Sequence, residues 1–146
     1  MTEYEIRRYP GAATIEDAHT VRRIVFIEEQ DVSEAEEMDG RDEGAIHVVA
    51  YDTDHSKPVG TARLRTPDEG IAKIERVAVL AEYRGKGLGV RLMEAIESEA
   101  RDEGCSLATL HAQTAVEEFY EALGYRTVSD VFMEAEIPHV EMEKNL

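Results

Sequence analysis

The chain has 146 residues, about one domain's worth, because single cores seldom grow past roughly 200 residues before splitting, and residues 1–146 are expected to form one domain. Its 42% hydrophobic and 33% charged residues exclude a disordered tail, and no apolar run approaches the roughly 20 residues that a membrane span requires. Sixteen basic residues against thirty-two acidic ones leave a formal charge of −16, which repels nucleic acid and anionic lipid and removes both from the expected partners.

Tyr4, Ile6 and Arg8 alternate with Glu5 and Arg7 as a short first strand, ended by Pro10 and Gly11. A helix follows: Thr14 and Asp17 resemble a capping box, Ile15, Ala18, Val21, Ile24 and Val25 form one apolar stripe, and the pattern fades near Gln30. Residues 31–43 are acidic and aperiodic, which reads as a solvated loop with at most one helical turn. Residues 45–51 and 59–65 are β-rich and flank turn material, giving a hairpin. After a second turn at 66–70, residues 71–80 supply a third strand whose Val-Ala-Val-Leu end is apolar on both faces and should be buried. The period then becomes 3.6: Leu88, Leu92, Ile96 and Ala100 form a stripe, Glu94, Glu97, Arg101 and Asp102 face outward, and Gly104 stops the helix. Residues 107–111 are a strand candidate. Thr114 and Glu117 form a second capping box before Val116, Phe119, Tyr120 and Leu123, and Gly124 closes that helix. Residues 125–133 and 137–142 complete the chain as strands. The order β-α-β-β-β-α-β-α-β-β defines an α/β domain whose sheet mixes hairpins and crossovers.

The stretch that carries chemistry is Arg84-Gly85-Lys86-Gly87-Leu88-Gly89, between an apolar strand and an amphipathic helix. Its glycines let the backbone approach a ligand without obstruction by Cβ, and the first amides of the following helix point outward with partial positive charge. Such a turn binds phosphate. Charge agrees: residues 76–91 hold Arg76, Arg84, Lys86 and Arg91 against Glu82, a net of +3, while the rest of the chain carries −19. A Walker loop does not fit, since Leu80 stands where its first glycine belongs and Gly87 follows Lys86. The dinucleotide fingerprint fails at Val90, where its last glycine should stand.

Arg84, Gly87 and Gly89 match R-x-x-G-x-G and resemble the pyrophosphate-binding signature of the GNAT superfamily of acyl-CoA-dependent N-acyltransferases. The element order is similar over nearly the whole chain. Val77-Ala78-Val79-Leu80 looks like that family's acyl-CoA strand, and the segment from Phe119 and Tyr120 to Gly124 and Tyr125 looks like its F-Y-x-x-x-G-[FY] helix. Residues 25–30, Met38-Asp39-Gly40, Leu110-His111-Ala112-Gln113 and Ile137-Pro138-His139 resemble the ElaA-like branch. That branch tends to have Asp-Gly before Ile-Pro-His, whereas this chain has Ala135-Glu136, a turn without its glycine.

The resemblance implies a mixed, mostly antiparallel sheet of about seven strands, splayed between the fourth and fifth, with helices on both faces; the class is α/β, or α+β by some schemes. It implies acetyl-CoA as co-substrate, a small amine or peptide amine as acceptor, a homodimer, and no metal. Val77, Ala78 and Val79 would pair with the pantetheine arm, and Arg84, Gly85, Lys86, Gly87, Leu88 and Gly89 would hold the pyrophosphate. Tyr120 would be the general acid toward the departing sulfur, although its helical face also suits a core aromatic. Glu75, on the strand leading into the acyl site, is the candidate base, and a solvated residue or a partner of Arg76 is the alternative. A catalytically silent acyl-CoA sensor is the rival reading.

His47 and His111 sit on expected strands and read as core or edge residues, and the histidines lack metal spacing. His139 has no role that its position defines. Cys105 is the single cysteine and can close no disulfide within the chain; with no basic neighbour it reads as a small buried residue. The start of the chain lacks the apolar stretch of a secretory signal, so a cytoplasmic address is expected. Four lysines, twelve arginines and the acidic excess suit a protein kept hydrated in concentrated salt.

Overall fold

The computed structural model describes residues 3–10 and 15–146. The strands are β1 (Tyr4–Pro10), β2 (Ile46–Asp52), β3 (Lys57–Asp68), β4 (Ile71–Val79), β5 (Leu107–Gln113), β6 (Arg126–Thr127), β7 (Phe132–Glu134) and β8 (Ile137–Asn145). They form one sheet of eight strands in the order β1-β2-β3-β4-β5-β8-β6, with β7 added on β8. Every pairing is antiparallel except the parallel β4–β5 pair. The helices are α1 (Glu16–Arg22), α2 (Glu34–Glu37), α3 (Leu88–Asp102) and α4 (Glu117–Ala122). Among the described residues, no helix is long and apolar enough to cross a membrane.

Both faces of the central strands are covered. On β3, Gly60 approaches Leu92 of α3, while Arg63 on the opposite face meets the loop that follows α1. Strand alternation therefore sends Ala62 and Leu64 to one apolar layer with Leu92, Met93 and Ile96, and leaves Thr61 and Arg63 to the other. A Cβ on Gly60 would stand 2.9 Å from Leu92 Cδ1 and 3.2 Å from the Ala78 carbonyl, so only glycine lets α3 lie this close to the sheet.

Several sequence expectations are corrected. The first helix continues beyond Arg22 as a π-helix over Arg23–Glu29, whose last turn is closed by a 3.1 Å bond from Gln30 N–H to the Val25 carbonyl. The capping box expected at Thr14 falls outside the described residues. The one expected at Thr114 does not form: residues Thr114–Val116 are a 3₁₀ turn without a side-chain cap, and Glu117 accepts a bond from Thr127 instead. Glu97, expected on the outer face of α3, is buried; it accepts 2.8 Å bonds from the Tyr125 hydroxyl and from Lys144. Residues 125–133 form two short strands, because Ser129 turns inward to accept the Glu141 amide at 2.8 Å. That break raises the strand count to eight.

The acidic loop is an anchor, not only a solvated face. Ser33 caps α2, and Glu37, Asp39 and Asp42 close on the buried guanidinium groups of Arg22 and Arg63. Arg22 is 1% and Arg63 0% exposed, so each is a buried charge that would be costly without these partners.

Candidate active site

Parallel pairing of β4 with β5 runs only from Ile71 with Leu107 to Ile74 with Leu110. Beyond it, β4 follows β3 and leaves β5. The register to β3 shifts between Thr61 and Arg63, where Arg76 adopts φ 58, so β4 carries a bulge that re-aims its last three residues. Val77, Ala78 and Val79 therefore face His111 and Gln113 across a gap. The gap opens into a cleft of about 660 Å³, floored by β4 and β5 and bordered by Phe26 and Gln30 of the first helix and by Tyr120 of α4. Gln113 donates to Gln30 across it at 2.9 Å, so the π-helical turn is tied to the splayed edge.

At one end of the gap lies the glycine turn. Gly85 and Gly87 adopt φ 78 and 80, a conformation that L side chains rarely adopt, and an added Cβ at either would meet only open space. Gly87 is the N-cap of the 15-residue helix α3 and no side chain caps that end, which leaves its first amides free. Residues 84 to 87 are exposed, so the turn is not sealed. Gly89 has a different reason to be glycine: its Cβ would lie 3.0 Å from the Phe119 ring, and the close contact joins α3 to α4. Leu88 is buried beneath the turn. Arg84 donates to the Val79 carbonyl at 2.9 Å and holds Glu29 through two 2.8 Å bonds, a fork that ties the turn to the first helix and raises its already high pKa. Lys86 is a second exposed cation of the turn.

Tyr120 is 8% exposed and fixed by perpendicular rings of Phe119 at 5.0 Å and Tyr125 at 6.0 Å. No described group bonds its hydroxyl, the residue borders the cleft, and burial pushes its pKa up to about 12. It is both a packed aromatic and a cleft residue. Glu75 also lines the cleft, but its carboxylate is taken by Arg65 and, at 3.1 Å, by Arg63. Desolvation raises its pKa, and the two guanidinium groups outweigh that and hold it below the usual carboxylate value. Its partners are thus Arg63 and Arg65, not Arg76, and the setting suits an anchoring anion better than a base. Arg76 reaches the other way, to the Glu36 and Glu37 carbonyls at 3.2 and 3.1 Å.

Two features of the cleft escape a reading of the sequence. One is the network of Arg22, Arg63, Arg65 and Arg76 with Glu37, Asp39, Asp42 and Glu75 behind it. The visible signal was Arg63 and Arg65, two charges at alternate positions within the β-rich run 59–65. The other is a cluster of His111, Glu134, His139 and Phe132 on the β5, β7 and β8 side of the cleft. His47, by contrast, is a core residue, 0% exposed.

A splayed β4–β5 pair beside an uncapped glycine turn defines a protein of the acyl-CoA N-acyltransferase fold. The family described as acetyltransferase (GNAT) domain matches residues 15–146, and the chain belongs to that family. The uncharacterised N-acetyltransferase YjcF of Bacillus subtilis (strain 168) is 42% identical over 132 residues, covering 90% of this chain and 92% of YjcF. An acyl-CoA N-acyltransferase from Pseudomonas aeruginosa superposes with a TM-score of 0.85 at 28% identity, over 97% of this chain and 99% of that one. Escherichia coli ElaA shares the fold with a TM-score of 0.83 at 24% identity, over 99% of both chains.

Proposed function

We propose that this protein transfers an acetyl group from acetyl-CoA to a primary amine by direct attack within a ternary complex. The observation that carries the reading is the junction of an uncapped helix with a splayed sheet. The first offers free amides to a diphosphate, and the second offers an unpaired strand edge to an extended pantetheine arm. In this reading the amides at Gly85, Gly87, Leu88 and Gly89, with Lys86 and Arg84 beside them, bind the pyrophosphate, and Val77, Ala78 and Val79 bind the arm.

Acetyl-CoA supplies a carbonyl carbon activated by a thiolate leaving group. A backbone N–H of the bulged segment donates to the thioester oxygen, and the bond strengthens as charge grows there in the transition state. Tyr120 is protonated at neutral pH, as an ordinary phenol is, and burial pushes its pKa further up to about 12, so its hydroxyl is available to the departing sulfur. Glu75 holds Arg63 and Arg65 and so fixes the strand next to the bulge. The amine enters past Phe26 and Gln30.

Calorimetry with CoA and thiol release from acetyl-CoA across a panel of amines test the reading together. Heat with CoA and release with at least one amine support it. Heat without release on any amine favours the silent sensor, and absence of heat refutes the cofactor cradle itself. Tyr120→Phe should lower kcat by about 10²- to 10⁴-fold with CoA affinity unchanged; full turnover removes Tyr120 from the chemistry. A salt-adapted, cytoplasmic setting belongs to the same proposal. Thermal unfolding that is already maximal in dilute buffer would contradict the salt adaptation.

A further inference from the structure

Acetyl transfer requires a group that takes a proton from the attacking amine, and Glu75 is held by two arginines. Residues from three strands, β5, β7 and β8, meet at one wall of the same cleft. His111 on β5 directs Nδ1 at Glu134 Oε1, 2.9 Å away, and Glu134 reaches it from β7 across β8. The second Glu134 oxygen lies 3.6 Å from His139 Nε2. The Phe132 ring stands roughly perpendicular to His111 at 5.0 Å and stacks on His139 at 6.0 Å, so one aromatic ring packs against both imidazoles.

The partners fix the tautomer. Glu134 is kept ionised, chiefly by the bond from His111, and an ionised carboxylate only accepts. Nδ1 of His111 therefore carries a proton, and Nε2 of the neutral ring presents its lone pair. No described group bonds Nε2, and the side chain is 30% exposed at the cleft wall. This is the arrangement of an oriented imidazole base: one nitrogen anchored on a carboxylate, the other open to a substrate. Besides Glu134 and His139, the charged groups that share this face are Lys73 and Glu75 on β4 and Glu141, which stands opposite His111 on β8.

We infer that, within the transfer proposed above, His111 is the general base and Glu134 its positioning residue. Nε2 takes one proton from the ammonium group as the amine nitrogen closes on the thioester carbon. The N–C bond forms while the carbonyl π pair moves onto oxygen. Collapse restores the carbonyl and breaks the C–S bond, a second proton from nitrogen passes through Tyr120 to the thiolate, and His111 gives its proton to water. The products are amide, CoA thiol and one proton.

The test compares the unsubstituted protein with His111→Gln and Glu134→Gln, reading kcat/KM against pH for amines of differing basicity and CoA affinity by calorimetry. His111→Gln should lower kcat/KM by about 10²- to 10⁴-fold, remove the acidic limb of the profile and leave CoA affinity unchanged. The loss should shrink for weakly basic amines, which are already unprotonated at the assay pH. Glu134→Gln should displace the limb to lower pH, because the imidazolium loses its counter-ion. Nitrogen NMR of the unsubstituted protein should find the Nδ1–H tautomer at His111, and the Nε2–H tautomer would overturn the assignment. Wild-type rate and limb in His111→Gln overturn this role alone, whereas no turnover by the unsubstituted protein on any amine overturns the transfer reading and the role with it.

Discussion

The turn between β7 and β8 is built from two residues that are ill suited to it. Glu134 pairs with Ile137, so Ala135 and Glu136 form a two-residue hairpin loop, and both have positive φ, 51 and 63. A loop of that type favours Asn-Gly, because an L residue in the left-handed region brings its Cβ against a carbonyl oxygen at a cost of roughly 1–2 kcal/mol. Glu136→Gly removes the strain there, and Ala135→Asn, which keeps a Cβ but tolerates the region through local hydrogen bonds, relieves part of it; against this stands the roughly 0.5–1 kcal/mol of backbone entropy that a glycine loses on folding. The net gain should be about 1–2 kcal/mol, which for a chain of this length raises Tm by about 3–6 °C. Calorimetry on the single and double variants measures it. A double variant with unchanged or lower Tm would refute the strain argument. The same turn carries Glu134 toward His111, so activity should be measured on the same samples: a gain in stability with loss of rate would mean that the strained geometry positions the carboxylate.

Glu37→Gln leaves Arg22 buried with Asp42, at 2.7 Å, as its remaining counter-ion, and should cost about 3 kcal/mol in urea denaturation, the low end for a broken buried pair; a loss below about 1 kcal/mol would contradict the anchoring role of the loop. Gly60→Ala drives a methyl against Leu92 and the Ala78 carbonyl and should cost about 1–3 kcal/mol while weakening CoA binding, because Ala78 lies on the acyl strand. Stability should fall in acid in two stages. His47 is buried and its folded pKa lies below the unfolded value, so the unfolded chain binds the proton first and stability declines as pH drops below about 6.5. Asp39, lowered to about 2 by Arg63 and Arg76 against opposing burial, and Asp42 and Glu75, also lowered, contribute stability that is complete above about pH 4–5 and is lost as pH falls through their folded values. Denaturation at a series of pH values checks both stages, and His47→Asn should erase the first.

What the sequence made legible was local. The glycine turn, the apolar strand before it and the amphipathic helix after it lie within one continuous segment. Each is written in spacing that a single element obeys, so a turn with Gly85 and Gly87 at positive φ leads into the long helix at the expected place. Glu97 was misassigned because it sits at the edge of the stripe: it shares a side of α3 with Met93 and Ala100, and only the arrival of Tyr125 and Lys144 decides that this edge is covered. The arginine network was hidden for a similar reason. Its members come from α1, α2, the loop after α2, β3 and β4, and no spacing rule links residues that meet only through tertiary packing.

The missing glycine at Ala135-Glu136 teaches the opposite lesson. Turn propensity argued against a tight hairpin there, yet the pairs of Phe132 with His139 and Glu134 with Ile137 fix the register and leave two residues to reverse the chain. Strand pairing and the aromatic packing of Phe132 on His111 and His139 together outweigh a local penalty of roughly 1–2 kcal/mol per residue. A local rule that is broken where the consequence is a carboxylate held against an imidazole in the cleft marks a place where position matters more than stability. On that argument Ala135 and Glu136 belong with the site residues, although neither side chain carries chemistry of its own.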